Sequence, residues 1–322
     1  MDVLSELLSA IRLTGGAFLR ADLRGPFAFR SMTGLDTCAA FGRDYEQVIP
    51  YHVVVRGQCW FGVSGEPPVL GRAGVAVLLP RGESHVLAHA PDATPLPVQQ
   101  FLPSQVLQGP VVLSVGRSGE HTQVICGFLA CERRRWNPLL EALPRLLAVD
   151  LGDGPIATWM NSSLEYALLQ SDAPRVGSES QLARVSELMF VEALRRYLDA
   201  LPLSAGGWLA ALRDRHLGPA IAQLHADPAR DWTVATLASS VGLSRSAFAE
   251  RFQAQVGMTP LDYLTRWRMQ VAARLLRDTA RPLLSIALDA GYQSDAAFIR
   301  AFKREFGMTP ARWRRSGATA QT

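Results

Sequence analysis

One phrase is written twice in the last hundred residues of this 322-residue chain, and the duplication limits what that region can fold into. The first copy runs from Leu237 through Gly242, Ser244, Phe248 and Phe252 to Gly257-Met-Thr-Pro260. The second runs from Ile286 through Gly291, Ser294, Phe298 and Phe302 to Gly307-Met-Thr-Pro310. Self-similarity of this kind marks one supersecondary unit used twice. Each copy predicts a short helix, a turn and a longer helix. Val234, Leu237, Ala238 and Val241 recur at helical spacing, Gly242 permits a left-handed cap, and Ser244 supplies the N-cap oxygen of the next helix. Ile286, Ala287, Ala290, Gly291 and Ser294 repeat the pattern with a turn one residue longer. The units are expected at about residues 233–256 and 283–306, with each Phe pair facing inward and the opposite helical face free.

A helix held by its aromatic face, with its outer face and first turn exposed, suits the major groove of DNA. Charge agrees. Residues 216–322 carry 14 Lys plus Arg against 8 Asp plus Glu, a net of +6, whereas residues 1–215 carry 19 against 21, a net of −2. Attraction to phosphate requires the positive charge where the repeat lies. Ser246, Ala249 and Glu250 in the first copy, and Asp295, Ala296, Ile299 and Arg300 in the second, fall where base edges would be met. Arg245, Arg251, Arg266, Arg268 and Arg304 are candidates for phosphate, and Ser244, Ser294 and Lys303 complete the set expected to face double-stranded operator DNA. Residues 261–277 read as one continuous helix fixing the spacing of the two heads.

These phrases, in particular A-S-S-V-G-L-S-R-S-A-F-A-E-R-F and G-Y-Q-S-D-A-A-F-I-R-A-F-K-R-E-F-G-M-T-P, resemble the double helix-turn-helix domain of the AraC/XylS transcription regulators. The resemblance implies a sequence-specific regulator, with an activator that contacts RNA polymerase as the expected form.

The first 200 residues have another texture. Short apolar runs broken by Gly and Pro, at 48–55, 58–63, 75–79, 98–102, 111–115 and 122–129, predict strands of a barrel or sandwich. Residues 156–169 and 181–201 then show helical periodicity. Gly74-Val-Ala-Val-Leu-Leu-Pro-Arg-Gly-Glu-Ser-His85 resembles the second cupin motif, and Tyr51-His-Val-Val-Val-Arg-Gly57 resembles a degenerate first one. The expected architecture is therefore two-domain α+β: a cupin-like β-barrel with following helices for sensing and dimerisation at 1–200, a connection at 201–215, and an all-α DNA-binding domain at 216–322.

The cupin resemblance implies a pocket, and His52, Trp60 and His85 are the residues expected to line it and contact a small-molecule effector. A metal-holding cupin needs an H-x-H pair followed by Glu; this chain lacks that pattern, so no metal or other cofactor is assigned. The four cysteines lack zinc-ribbon spacing. Cys126 and Cys131, the latter beside Arg133 to Arg135, define an alternative in which the regulator senses oxidants. A second alternative is a cupin metalloenzyme with a DNA-binding tail. No nucleophile elbow, phosphate-binding glycine loop or paired-carboxylate signature supports catalysis. Without a leader pattern or a run of about 20 apolar residues, the expected setting is the cytoplasm, away from any membrane, and the expected assembly a homodimer through residues 181–201.

Overall fold

The computed structural model describes residues 3–4, 14–40, 47–102, 111–131, 136–152, 158–160, 162–163, 166, 178–202 and 206–319. The chain divides into two compact units: residues 12–133 with 143–200, and residues 1–11 and 134–142 with 201–322.

In the first unit, strands β1 (Thr14–Arg24) and β2 (Ala28–Arg30) lead to helix α1 (Gly34–Ala40). Strands β3 (Gln47–Arg56), β4 (Gln58–Val63), β5 (Val69–Arg72), β6 (Val75–Leu78), β7 (His85–Ala88), β8 (Leu96–Pro97), β9 (Val111–Val115) and β10 (His121–Cys131) follow. After α2 (Pro138–Ala142), which belongs to the other unit, come β11 (Leu147–Asp150) and the long helix α3 (Ser178–Ala200). Among the described residues the strands form two sheets around one core, in the orders β11-β6-β3-β10-β1-β9 and β5-β4-β7-β2-β8, as a cupin-like unit requires. One core joins them: Ala21, Leu23, Val54, Val77 and Val124 from the first sheet meet Phe29, Cys59, Phe61 and Leu87 from the second.

Strand alternation decides what each sheet shows to that core. On β3, His52 and Val54 point inward and Tyr51 points the other way, where its hydroxyl lies 2.8 Å from Ser186 Oγ of α3. Opposite Tyr51 stands Gly127, where an added Cβ would lie 2.4 Å from the Tyr51 hydroxyl. Only glycine leaves room for that ring. α3 packs mainly on β1, with Met189, Phe190, Ala193 and Leu194 buried.

Two sequence expectations change here. Residues 98–102 begin with a short 3-10 turn, Val98–Gln100, instead of a strand. Pro97 immediately precedes it and carries no N–H for a ladder, and Phe101 N instead donates to Val98 O at 2.9 Å. Conversely, β1 went unpredicted although Leu19, Ala21 and Leu23 alternate with Arg20, Asp22 and Arg24. The helix expected at 156–169 lies largely outside the described residues.

The second unit is helical: α4 (Trp208–Arg213), α5 (Leu217–Ala226), α6 (Val234–Ser240), α7 (Arg245–Val256), α8 (Pro260–Asp278), α9 (Leu283–Asp289), α10 (Asp295–Phe306) and α11 (Pro310–Thr319). α6–α7 and α9–α10 are the two helix-turn-helix units. α8 packs against α5 and α7 and also against α9, α10 and α11, so one rigid helix frames both.

The duplication in sequence is a duplication in packing. Phe248 and Phe252 lie 5.7 Å apart at 54°, and Phe298 and Phe302 lie 5.7 Å apart at 56°. Tyr263 meets Phe252 edge-on at 5.8 Å, and Trp313 meets Phe302 edge-on at 5.9 Å. Tyr263 and Trp313 are themselves fifty positions apart. The first copy has an added support, because Trp136 packs edge-on against Tyr263 at 5.3 Å. Gly257 and Gly307, at φ of 79° and 72°, end α7 and α10 in the left-handed conformation that favours glycine.

Each inward Phe fills an equivalent, fully buried site, so Phe252→Ala and Phe302→Ala are each expected to destabilise the chain by about 3–5 kcal/mol. Urea denaturation followed by tryptophan fluorescence checks this. A loss under about 1 kcal/mol at either position would show that the two copies are not anchored alike.

Candidate nucleic-acid interface and effector cavity

Both reading helices begin at a serine whose oxygen is already occupied. Ser244 Oγ accepts from Ala247 N at 3.3 Å, and Ser294 Oγ accepts from Ala297 N at 3.3 Å. These caps set the axis of α7 and α10 and leave Arg245 and Ser246, and Asp295 and Ala296, exposed in the first turns. One turn further, Ala249 and Ile299 are half-buried while Glu250 and Arg300 are exposed. Lys303, the only lysine of the chain, and Arg304 lie exposed in the last turn of α10.

The arginines named from sequence separate into groups. Arg268 points into the fold: its Nε donates to Pro228 O at 2.7 Å and its Nη2 to Arg230 O at 3.0 Å, which ties α8 to the chain after α5. Arg251 Nε donates to Asp214 Oδ2 at 3.1 Å, and the same carboxylate accepts from Leu217 N at 2.9 Å. Arg266 is exposed, with its guanidinium 5.8 Å from the Trp136 ring centre. Arg245, Arg300 and Arg304 are exposed on the reading helices themselves.

The other site lies between the sheets. His52 of β3, His85 of β7 and Cys126 of β10 face one cavity of about 100 Å³. Their hydrogen bonds form one ordered series. His85 Nδ1 lies 2.9 Å from Glu83 O, and a carbonyl only accepts, so Nδ1 carries the proton. His85 Nε2 must then accept, and His52 Nε2 donates to it at 2.6 Å. That leaves His52 Nδ1 to accept from the Cys126 thiol at 2.9 Å. Burial, with His85 beside it, holds His52 well below its ordinary range, and burial lowers His85 to about 4. Burial pushes the Cys126 thiol up.

The base of this series is clamped. Arg145 Nε donates to both Glu83 carboxylate oxygens, at 2.9 and 3.1 Å, and its Nη1 donates to Ser64 O at 3.0 Å. The Arg145 guanidinium holds the Glu83 carboxyl below its usual range. Ser31 Oγ accepts from His85 N at 2.9 Å.

Trp60, expected beside the histidines, does not line the cavity. On β4 the inward positions are Cys59, Phe61 and Val63, and the alternation turns Trp60 outward. Ser31, Phe29 and Leu113 take the places that sequence reasoning missed. β2, which carries Phe29 and leads into Ser31, and β9, which carries Leu113, are short and remote in sequence from His52, and no local pattern announces that they converge. Arg145 was likewise missed, as it clamps Glu83 from a loop sixty-two residues away. The Cys131 side chain lies outside the described residues.

The histidine pair does not fit a metal. The two imidazole nitrogens lie 2.6 Å apart, whereas two ligands at roughly 2.0–2.1 Å on one tetrahedral ion would be about 3.3 Å from each other, and among the described residues no three His, Cys, Asp or Glu groups form a metal-holding cluster.

Comparison with known proteins identifies both halves of the chain. Residues 2–199 match the family model described as Cupin, and residues 237–316 match that described as Helix-turn-helix domain. A putative AraC-like transcription regulator of Streptomyces lividans is 35% identical over 84% of this chain and 88% of its own. The chain belongs to the AraC-like transcription regulators. The HTH-type transcriptional regulator AlkR of Acinetobacter baylyi is 27% identical over 98% of this chain and 99% of its own. The DNA-binding domain of AdpA in complex with a target DNA covers 32% of this chain and 92% of that chain at 29% identity, with a TM-score of 0.31. As a member of this family the regulator is a sequence-specific DNA-binding protein with a helix-turn-helix domain.

Its buried imidazoles make stability depend on pH. His85 binds a proton in the unfolded chain below about 6.5 but in the folded chain only below about 4, so stability is full above the higher value and falls as pH drops toward the lower. His85 alone is expected to remove about 3 kcal/mol between those limits. Denaturant titrations at pH 7 and pH 4.5 on the wild type and His85→Gln measure it. An equal loss in both proteins would show that other groups govern the acid limb.

Proposed function

We propose that this regulator is an effector-responsive activator that reads two successive major-groove segments with α7 and α10. The observation that carries the reading is the pairing of equivalent aromatic anchors behind the two helices with exposed residues on their first turns. Arg300 is the principal base reader, donating in bidentate fashion to guanine O6 and N7; Glu250 accepts from cytosine N4; Ser246, Ala249, Asp295, Ala296 and Ile299 complete the base-facing surface. Arg245, Arg266, Lys303 and Arg304 neutralise phosphate, with Ser244 and Ser294 orienting the helices through their caps. Arg268, and in part Arg251, serve the domain's own structure.

In this reading a small effector occupies the cavity lined by His52, His85 and Cys126. β3 carries the signal: His52 faces the cavity, and the adjacent Tyr51 faces α3 through Ser186. The exposed face of α3, which includes Leu188 at 52% exposure, serves self-association into a homodimer whose subunits engage neighbouring half-sites for RNA polymerase. The protein acts in the cytoplasm and performs no turnover. Support for the last point comes from the cavity itself, where Cys126 is held as a protonated hydrogen-bond donor, a poor nucleophile and a poor target for oxidants. Among the described residues no helix is long and apolar enough to cross a membrane.

Three measurements test these assignments. Arg300→Ala should relax discrimination at one base pair by about 1–3 kcal/mol, read as the ratio of affinities for the operator and its single-base variants. Equal losses on all sequences would remove Arg300 from base reading. Arg304→Ala should shallow the slope of log affinity against log salt by about 0.9, whereas Arg268→Ala should lower thermal stability and leave the slope alone. For self-association, Leu188→Glu should shift sedimentation of the full chain from dimer toward monomer, and an unchanged dimer would place the interface elsewhere.

A further inference from the structure

We propose that the cavity between the two sheets selects a small, uncharged, mainly apolar molecule and rejects sugars, carboxylates and cations. For its regulatory consequence this rests on the reading of the cavity as the effector site; the binding chemistry stands by itself.

The lining decides the charge of the ligand. Among the described residues it contains Leu19, Phe29, Leu87, Leu113 and Phe128, and no Asp, Glu, Lys or Arg. A carboxylate entering it finds no arginine or lysine to replace its lost hydration, and a cation finds no carboxylate. The histidines do not supply the missing charge. Each is already used at both ring nitrogens, and burial disfavours the charge of an imidazolium on either ring.

The same series disfavours polyols. The polar groups on the cavity are Ser31, Thr37, His52, His85 and Cys126. Thr37 Oγ1 donates to Thr33 O at 2.8 Å, Ser31 Oγ accepts from His85 N at 2.9 Å, and Cys126 donates to His52. What is left is one donor, the Ser31 O–H, and spare lone pairs on the two hydroxyl oxygens and the weakly accepting Cys126 sulfur, enough for a ligand with one or two polar groups. A sugar carries several hydroxyls and would lose their water without replacement.

Size and shape add a limit. An apolar cavity of roughly 150 Å³ accepts benzene. At about 100 Å³ this one is smaller, so a single ring of about six or seven non-hydrogen atoms is its upper limit and requires the unbranched Met32 side chain to give way at the wall. Leu19, Met32, Leu102 and Cys126 are only half-buried, which gives a ligand a way in.

The test uses the full-length protein and three probes: fluorobenzene and 4-fluorobenzoate, followed by ¹⁹F NMR, and glucose, followed by calorimetry. Fluorobenzene should show saturable line broadening; 4-fluorobenzoate and glucose should show no binding at the same concentration. Leu113→Phe and Ala21→Leu, which fill the cavity from two strands, should each weaken fluorobenzene binding at least about tenfold. Circular dichroism and operator affinity confirm that the variants are folded. Preferred binding of benzoate or glucose overturns the proposal, as does fluorobenzene binding that survives both cavity-filling substitutions. Adding each probe to an operator-binding assay separates this inference from the effector reading. Cavity-dependent fluorobenzene binding that leaves operator affinity unchanged upholds the ligand class and removes the effector role. A charged or sugar probe that alters operator affinity only while the cavity is open upholds the effector role and removes the ligand class.

Discussion

The reading helices are held from behind, and their function depends on how firmly. Phe248 and Phe252, and Phe298 and Phe302, are fully buried against Tyr263 and Trp313. Burying two large aromatic side chains on one face of a twelve-residue helix leaves its other face with no packing role. Side chains there are then available to a groove. Because α8 packs against both copies, neither reading helix can tilt without disturbing its contacts with that one helix. A base-reading contact needs that rigidity, since a bidentate pair tolerates little angular error.

The charge of this domain is less available to DNA than its composition implies. Arg268 and Arg314 spend their guanidinium groups on backbone carbonyls, and Arg251 meets Asp214. Those groups cap helices and join segments. The exposed cations left on the reading helices, Arg245, Arg300, Lys303 and Arg304, are fewer but better placed. A net of +6 therefore describes attraction at a distance, while contact is decided by these few side chains.

In the sheet unit the governing constraint is the burial of two imidazoles. A buried ring must have its nitrogens satisfied, and the carbonyl of Glu83 supplies the one partner whose chemistry permits a single answer. From it the order passes through His85 and His52 to Cys126. The cavity thereby acquires neutral walls, although it contains two histidines and a cysteine. Arg145 secures this from outside by clamping the Glu83 carboxylate. Tyr51, one residue from His52, carries the same strand's opposite face to α3.

Much of this was written in local sequence. The doubled phrase determined both helix-turn-helix units, because apolar spacing, turn glycines and N-cap serines act within a few residues of one another. The strands at 58–63 and 111–115 were legible for the same reason, and the two motifs that carry His52 and His85 meet with their Nε2 atoms 2.6 Å apart. Tertiary structure decided the rest. Which way Trp60 points depends on the phase of β4 against its neighbours, and a run as short as six residues does not reveal its phase. That Trp136 supports Tyr263, or that Cys126 donates to His52, follows from contacts between positions 127 and 74 residues apart in the chain. Local pattern records what a residue requires, such as burial, a cap or a partner; only the folded chain selects the group that meets the requirement, because that choice rests on distances between segments the sequence does not order in space.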